Sequence, residues 1–194
     1  MQRVAVFASG SGSNYQAIME YLANQSHPNF EVALLISDQP KAQVLERAKT
    51  WETKSYAVSV KAFPSMSQFE EAILHQLWEA DIDFLVLAGY MRLLGPTLLN
   101  AFRDKIVNIH PSLLPSFPGK DAIRQALDYG VQVTGVTIHF VDEGMDTGPI
   151  IYQRPVLIDS SETADSLSTK IHTIEHEMYP QIIAACIRNL EGHE

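Results

Sequence analysis

Residues 107–119 read VNIHPSLLPSFPG. Together with the two residues before it, KIVNIH (105–110) is a short run rich in β-branched side chains and reads as a strand. A strand points successive side chains to opposite faces, so Ile106, Asn108 and His110 share one face. Pro111 then removes a backbone donor and biases His110 toward an extended conformation, while Pro115 and Pro118 stiffen a loop that can join neither a helix nor a central strand. The pattern predicts a rigid ledge just past the carboxyl end of a strand, with Asn108 and His110 side by side at its root. In open α/β sheets that is where ligands bind. A hydrogen-bonded Asn–His pair that merely caps the strand is the structural alternative.

Apolar runs alternate with amphipathic stretches on both sides of this segment. RVAVFAS (3–9), FEVALLIS (30–37) and DFLVLAG (83–89) read as strands before KIVNIH, with helices over 14–24, 41–51 and 68–79 between them. The third helix is predicted to open with a capping box of Ser67 and Glu70, and Gly95-Pro96 to start a short helix. Beyond the ledge, 121–129 reads as a helix closed by Gly130. VTGVTIHFV (133–141) and PIIYQRPVLI (149–158) are two strands whose connection, DEGMDTG, is too short for a helical crossover, which makes them antiparallel. A long helix over 163–190 carries Leu167, Ile171, Ile174, Met178 and Ile182 on one stripe. The expectation is an α/β fold: a Rossmann-like, mostly parallel twisted sheet flanked by helices, with an antiparallel portion in the C-terminal half, forming one domain over residues 1–194.

Composition narrows the function classes. The chain carries a net charge of −9, which repels nucleic acid and anionic membrane, so an anionic substrate must be small and locally caught. The first apolar run reaches Gly and Ser after five apolar positions, too few for a signal peptide, and the single Cys186 forbids an internal disulfide; both fit a cytoplasmic protein. The expected partners are small molecules, with no nucleic acid and no membrane, and the chain is expected to be a monomer or a weak homodimer.

Three further segments could carry chemistry. ASGSGSN (8–14) leaves the first strand and opens a helix, where backbone N–H groups freed by small residues make an anion site. A dinucleotide fingerprint would need Gly or Ala where Tyr15 stands, and a Walker loop would need Gly-Lys-Ser/Thr, so the loop suits one phosphate. A Gly/Ser turn with Ser13 capping the helix is the alternative. LAGYMRLLGP (87–96) exposes Tyr90, Met91 and Arg92 at the same sheet edge and can line an apolar slot for a flat ring. FVDEGMDTGP (140–149) holds Asp142, Glu143 and Asp146 in a glycine-punctuated hairpin without His or Cys at ligand spacing, which argues against a metal; one carboxylate there could hold a histidine charged. His139, in the strand before, reads as structural.

Taken together, GSGSN (10–14), LAGYMRLL (87–94), NIHPSLLPSFPG (108–119), DTGP (146–149) and IEHEMYP (174–180) resemble the phosphoribosylglycinamide formyltransferases, folate-dependent enzymes of purine synthesis within the formyltransferase superfamily. The resemblance implies transfer of a formyl group from the cosubstrate 10-formyltetrahydrofolate to a glycinamide amine, without a metal. It implies catalytic roles for Asn108, His110 and Asp146, acceptor binding by Gly12, Ser13, Asn14 and Glu175, and a folate site formed by Met91, Arg92, Leu93 and Leu94 with Asn108 and Val141. The chain departs from the pattern at Met66, where some members carry an Arg toward the folate glutamate tail, and at Lys120-Asp121-Ala122, where others carry a His-containing run. For a basic phosphate partner from the last helix the nearby candidates are Lys170 and His172. The runner-up within the superfamily, a methionyl-tRNA formyltransferase, would be expected to add an RNA-binding domain and a basic surface.

Overall fold

A computed structural model of the chain describes residues 1–191; the last three positions of the expected domain lie outside the described residues. Seven strands form one sheet in the order β3-β2-β1-β4-β5-β6-β7. β1 (Gln2–Phe7), β2 (Phe30–Ser37), β3 (Ser55–Ala57), β4 (Phe84–Leu87) and β5 (Ile106–His110) run parallel. β6 (Val133–Phe140) and β7 (Ile150–Leu157) are antiparallel to their neighbours, as the short DEGMDTG connection requires. The three-residue edge strand β3 is the one strand without a sequence signal of its own; it forms because Leu35–Ser37 of β2 offers a free edge.

The central strands are buried on both faces, and the alternation of their side chains builds two cores. On one side Val4, Val6, Val86, Val107 and Ile109 pack with Tyr15 and Ile18 of α1 (Ser13–Ala23) and with Leu167, Ile171 and Tyr179 of α6 (Ala164–Glu191). On the other, Ala5, Phe7, Leu34, Ile36, Leu85 and Ile106 meet Phe69, Ile73 and Leu77 of α3 (Met66–Glu79) and Leu98 of α4 (Pro96–Ala101). Complete burial of one such side chain is worth about 1.5–3 kcal/mol. α2 (Val44–Thr50) follows β2, and α5 (Ala122–Tyr129) follows the ledge, closed by Gly130 at φ 82°.

One local expectation is corrected. The N-cap of α3 is Ser65, whose Oγ accepts from Gln68 N at 3.2 Å, while Glu70 is 2% exposed and turned inward. Ser67 instead donates to Glu71 on the helix surface at 2.8 Å. The helix begins two residues earlier than a Ser67 cap implies, and Glu70 falls on the buried face. In α6 the expected stripe packs on the core, with Leu167, Ile171 and Met178 buried and Ile174 and Ile182 partly buried against it; the helix runs through Pro180, and Ile183 and Ile187 are also fully buried.

β1 and β4 are adjacent in the sheet, but their outgoing chains turn to opposite faces, one into α1 and the other toward α4. This is the topological switch point, where a crevice opens beyond the carboxyl ends of the strands.

Candidate active site

A cleft of about 880 Å³ occupies that crevice, within the range of small-molecule sites. Gly10 to Asn14 line one end, Met91 to Leu94 another part, and Asn108, His110 and Asp146 stand in its wall.

At the first end the Gly/Ser loop turns through Gly12, which is the N-cap of α1 at φ 74° and leaves the helix without a side-chain cap. Ser13 is therefore inside the helix and does not cap it. A Cβ on Gly12 would lie 2.3 Å from Val44 Cγ2, so both the conformation and the close approach to α2 require glycine. α2 holds the loop in place: Val44 N donates to Gly10 O at 3.1 Å, and Arg47 Nε to Ser11 O at 2.8 Å. Arg47, which nothing in its local sequence marks, thus brings a cation beside an uncapped helix N-terminus, a setting that favours an anion. Asn14 is buried; its Nδ2 donates to Glu175 Oε2 at 3.0 Å, and its Oδ1 has no partner. Burial pushes the Glu175 carboxyl above the ordinary range, against the Asn14 hydrogen bond and the nearby His172. Of the two basic candidates on α6, His172 lines the cleft, whereas Lys170 is tied to Asp159 and Glu162.

The wall comes from β5, β6 and the hairpin that follows. Asn108 and His110 share a strand face, as alternation predicts, with Ile106 in the core below them. His110 is 5% exposed; its Nε2 lies 2.9 Å from Phe117 O, a carbonyl of the proline ledge, and its Nδ1 lies 3.4 Å from Asp146 Oδ2. The ledge is braced by Ser112 Oγ on Ser116 O (2.6 Å) and by Thr137 Oγ1 on Ser112 O (2.7 Å). With Nε2–H engaged by Phe117, Nδ1 is the nitrogen on the Asp146 side.

Asp146 has a left-handed backbone, φ 57°, and its carboxylate is fixed by Gly119 N at 2.7 Å. Burial acts to raise this carboxyl, but the Gly119 N–H and the charge of His110 hold it below its ordinary value. His139 faces Asn108 across the β5–β6 pair. Its Nδ1 lies 2.8 Å from Phe140 O, and its Nε2 lies 3.1 Å from Asn108 Nδ2 and 3.7 Å from Asp146 Oδ1. An N–H at Nδ1 leaves a lone pair at Nε2 to receive one Asn108 amide hydrogen, so Gly119 and His110 are the groups that matter most at Asp146. The other Asn108 amide hydrogen remains available. The antiparallel register is the signal that brings in His139, and it is visible only once β5 and β6 are paired.

At the second end Met91 and Leu93 are exposed at the cleft mouth, with Arg92, Leu94 and Val141 also lining it. Lys120, Asp121 and Ala122 border the wall; Met66 is outside the lining. Asp142 and Glu143 also border the cleft, and both are exposed; Asp142 Oδ1 accepts from Gly144 N and Thr147 Oγ1. Among the described residues no group of three or more His, Cys, Asp or Glu side chains is placed to hold a metal, and no helix is long and apolar enough to cross a membrane.

Comparison with known proteins gives these features a lineage. A profile described as formyl transferase matches residues 2–183. The chain is 49% identical over 183 residues to phosphoribosylglycinamide formyltransferase of Bacillus subtilis (strain 168), covering 94% of this chain and 93% of that one. Among solved structures, phosphoribosylglycinamide formyltransferase from Bacillus halodurans superposes with a TM-score of 0.92 at 54% identity, covering 95% of this chain and 94% of that one. Glycinamide ribonucleotide transformylase 1 from Geobacillus kaustophilus gives 0.93 at 53% identity, covering 96% and 99%. The chain belongs to the formyl transferase family.

Proposed function

We propose that the chain is a phosphoribosylglycinamide formyltransferase that moves the formyl group of 10-formyltetrahydrofolate to the amine of glycinamide ribonucleotide, in the cytoplasm and as a step of purine synthesis. One observation carries the reading: a polar wall of Asn108, His110 and Asp146 lines the same cleft as an anion-ready loop and an apolar mouth. In this reading Gly12, Ser13 and Asn14 hold the phosphate, with Glu175 on the ribose. Met91, Arg92, Leu93, Leu94 and Val141 hold the folate. The two substrates then meet at the wall, and no metal takes part. The chain acts as a single domain over residues 1–194, as a monomer or weak homodimer.

The amine nitrogen attacks the formyl carbon and forms a C–N bond, and the carbonyl oxygen takes the displaced electron pair. Fixed donors must meet that oxygen. The Asn108 N–H not engaged by His139 and the Nδ1–H of His110 are the two donors, preorganised by the strand and by Phe117 O. Asp146 stabilises the proton on Nδ1 and accepts the proton released by the new ammonium, directly or through a water. When the bond from carbon to N10 breaks, that proton goes to N10, giving tetrahydrofolate and the formamide. The ledge matters because a donor misplaced by about 1 Å can cost on the order of 10²-fold in rate.

The test is to incubate the protein with 10-formyltetrahydrofolate or its dideaza analogue, with and without glycinamide ribonucleotide, and to follow loss of the formyl group. Turnover that requires the ribonucleotide is expected. Turnover without it would make the protein a hydrolase, and absence of turnover would make it a binding module.

A further inference from the structure

The segment from Ala88 to Gly95 has no regular secondary structure; backbone bonds from Ala88 N to Phe7 O (2.8 Å) and from Ser9 N to Gly89 O (3.0 Å) tie its start to the end of β1, and beyond Gly89 side chains from elsewhere fix its backbone. They do so at both of its ends. Met91 N donates to Ser9 Oγ at 2.9 Å, and Ser9 Oγ donates to Asp38 Oδ1 at 2.6 Å. Arg92 Nε donates to Asp38 Oδ2 at 2.8 Å, and Gln39 Nε2 supports the same oxygen at 3.0 Å. Further along, Gly95 N donates to the buried carboxylate of Glu70. Met91 and Leu93, between these anchor points, are exposed at the cleft mouth.

The Asp38 side chain is 2% exposed. Removing a carboxylate from water to that extent is costly unless every lone pair is used, and its partners are all hydrogen-bond donors that converge from β1, the β2 terminus and the 88–95 segment. The side chain of Arg92 is 32% exposed, lines the cleft and has only its Nε engaged by Asp38. Its terminal guanidinium nitrogens therefore sit at a fixed place in the mouth.

We propose that Asp38 is a positioning residue for the cosubstrate end of the cleft: acting through Ser9 on the Met91 N–H and directly on Arg92, it sets the loop on which the folate docks. This rests on the assignment of the 91–94 loop to the folate. Asp38 does not touch the reacting atoms, so its removal acts on cosubstrate affinity and leaves the wall intact. Asp38→Asn retains an acceptor for Ser9 but cannot also accept from Arg92 without losing the first bond.

The experiment measures steady-state constants for both substrates, and amide hydrogen exchange at Met91, in Asp38→Asn and Ser9→Ala. A charge-assisted hydrogen bond is worth roughly 1.5–3 kcal/mol, so the KM for the folate cosubstrate should rise about 10-fold or more in Asp38→Asn. It should rise less in Ser9→Ala. The acceptor KM and kcat should stay within about twofold of wild type, and Met91 should lose exchange protection fully in Ser9→Ala and in part in Asp38→Asn. In an Arg92→Leu background the Asp38→Asn effect should shrink, because the two act as a pair. Unchanged Met91 protection would overturn the clamp itself. Lost protection with unchanged cosubstrate affinity would instead overturn the placement of the folate on this loop. Equal rises in both KM values would make Asp38 an ordinary stabilising residue and overturn the proposal. Ser9→Ala removes only a hydroxyl and keeps the test decisive if Asp38→Asn folds poorly.

Discussion

The loops that leave β1 and β4 start from neighbouring strands and line the same cleft, yet they are held by opposite means. The 10–14 loop is a backbone device. It turns on a left-handed glycine, leaves a helix N-terminus uncapped and is pinned to α2 through its carbonyl groups. The 88–95 loop takes backbone bonds from the end of β1 only at Ala88 and Gly89; from Met91 onward it is held by side chains, through Ser9, Asp38 and Glu70. An anion is met by unscreened N–H groups, which need small residues and little else. A flat, largely apolar ligand needs a shaped mouth, and shape at an irregular loop has to be imposed from outside.

If the two ends bind separately and the wall does the chemistry, damage should sort cleanly. The largest effect belongs to the wall. His110→Asn removes the Nδ1–H donor while leaving both ends intact, so kcat should fall by roughly 10²–10⁴ with both KM values within a few-fold, as measured by steady-state kinetics. Damage confined to the first end comes next. Gly12→Ala forces a Cβ against Val44 in a left-handed conformation, so acceptor KM should rise by about 10-fold or more while cosubstrate-analogue affinity, read by titration calorimetry, barely moves. Loss of both together would show that the ends are not independent. His139→Ala frees the Asn108 amide and should lower kcat by about 10-fold without selecting either substrate, a smaller effect because Asn108 itself remains.

The smallest effect is on stability. The Asp146 carboxyl lies below its ordinary value in the folded protein, so its ionised form stabilises the fold above the unfolded value of about 3.9. That contribution is lost as pH falls through the lowered folded value. Wild type should therefore exceed Asp146→Asn in denaturant-measured stability at neutral pH, and the difference should close on acidification. A difference that widened toward acid would contradict the environment described for Asp146.

The same contrast explains what the sequence could disclose. The 10–14 loop was legible because glycine and serine between a strand and a helix describe their own backbone, and Asn108 with His110 followed from strand alternation. Asp38 and Glu70 were not, because their partners Arg92 and Gly95 lie 54 and 25 residues away. Glu70 even fits a capping box at Ser67, but the helix starts earlier and Glu70 lies on its buried face. His139 was hidden for a related reason: its meaning depends on which strand pairs with β5. Asp146 drew notice only as one of three hairpin carboxylates, and the resemblance, rather than spacing, separated it from Asp142 and Glu143.

That separation gives the most direct test of whether the wall is the reacting centre. Single-turnover formyl transfer, with both substrates saturating, should be slower by roughly 10²–10⁴ in Asp146→Asn, because the amide can neither take the amine proton nor sustain the proton on His110. Glu143→Gln, which removes the same charge three residues away from an exposed side chain, should be within about twofold of wild type. An Asp146→Asn enzyme that transferred the formyl group at the wild-type rate would contradict the account.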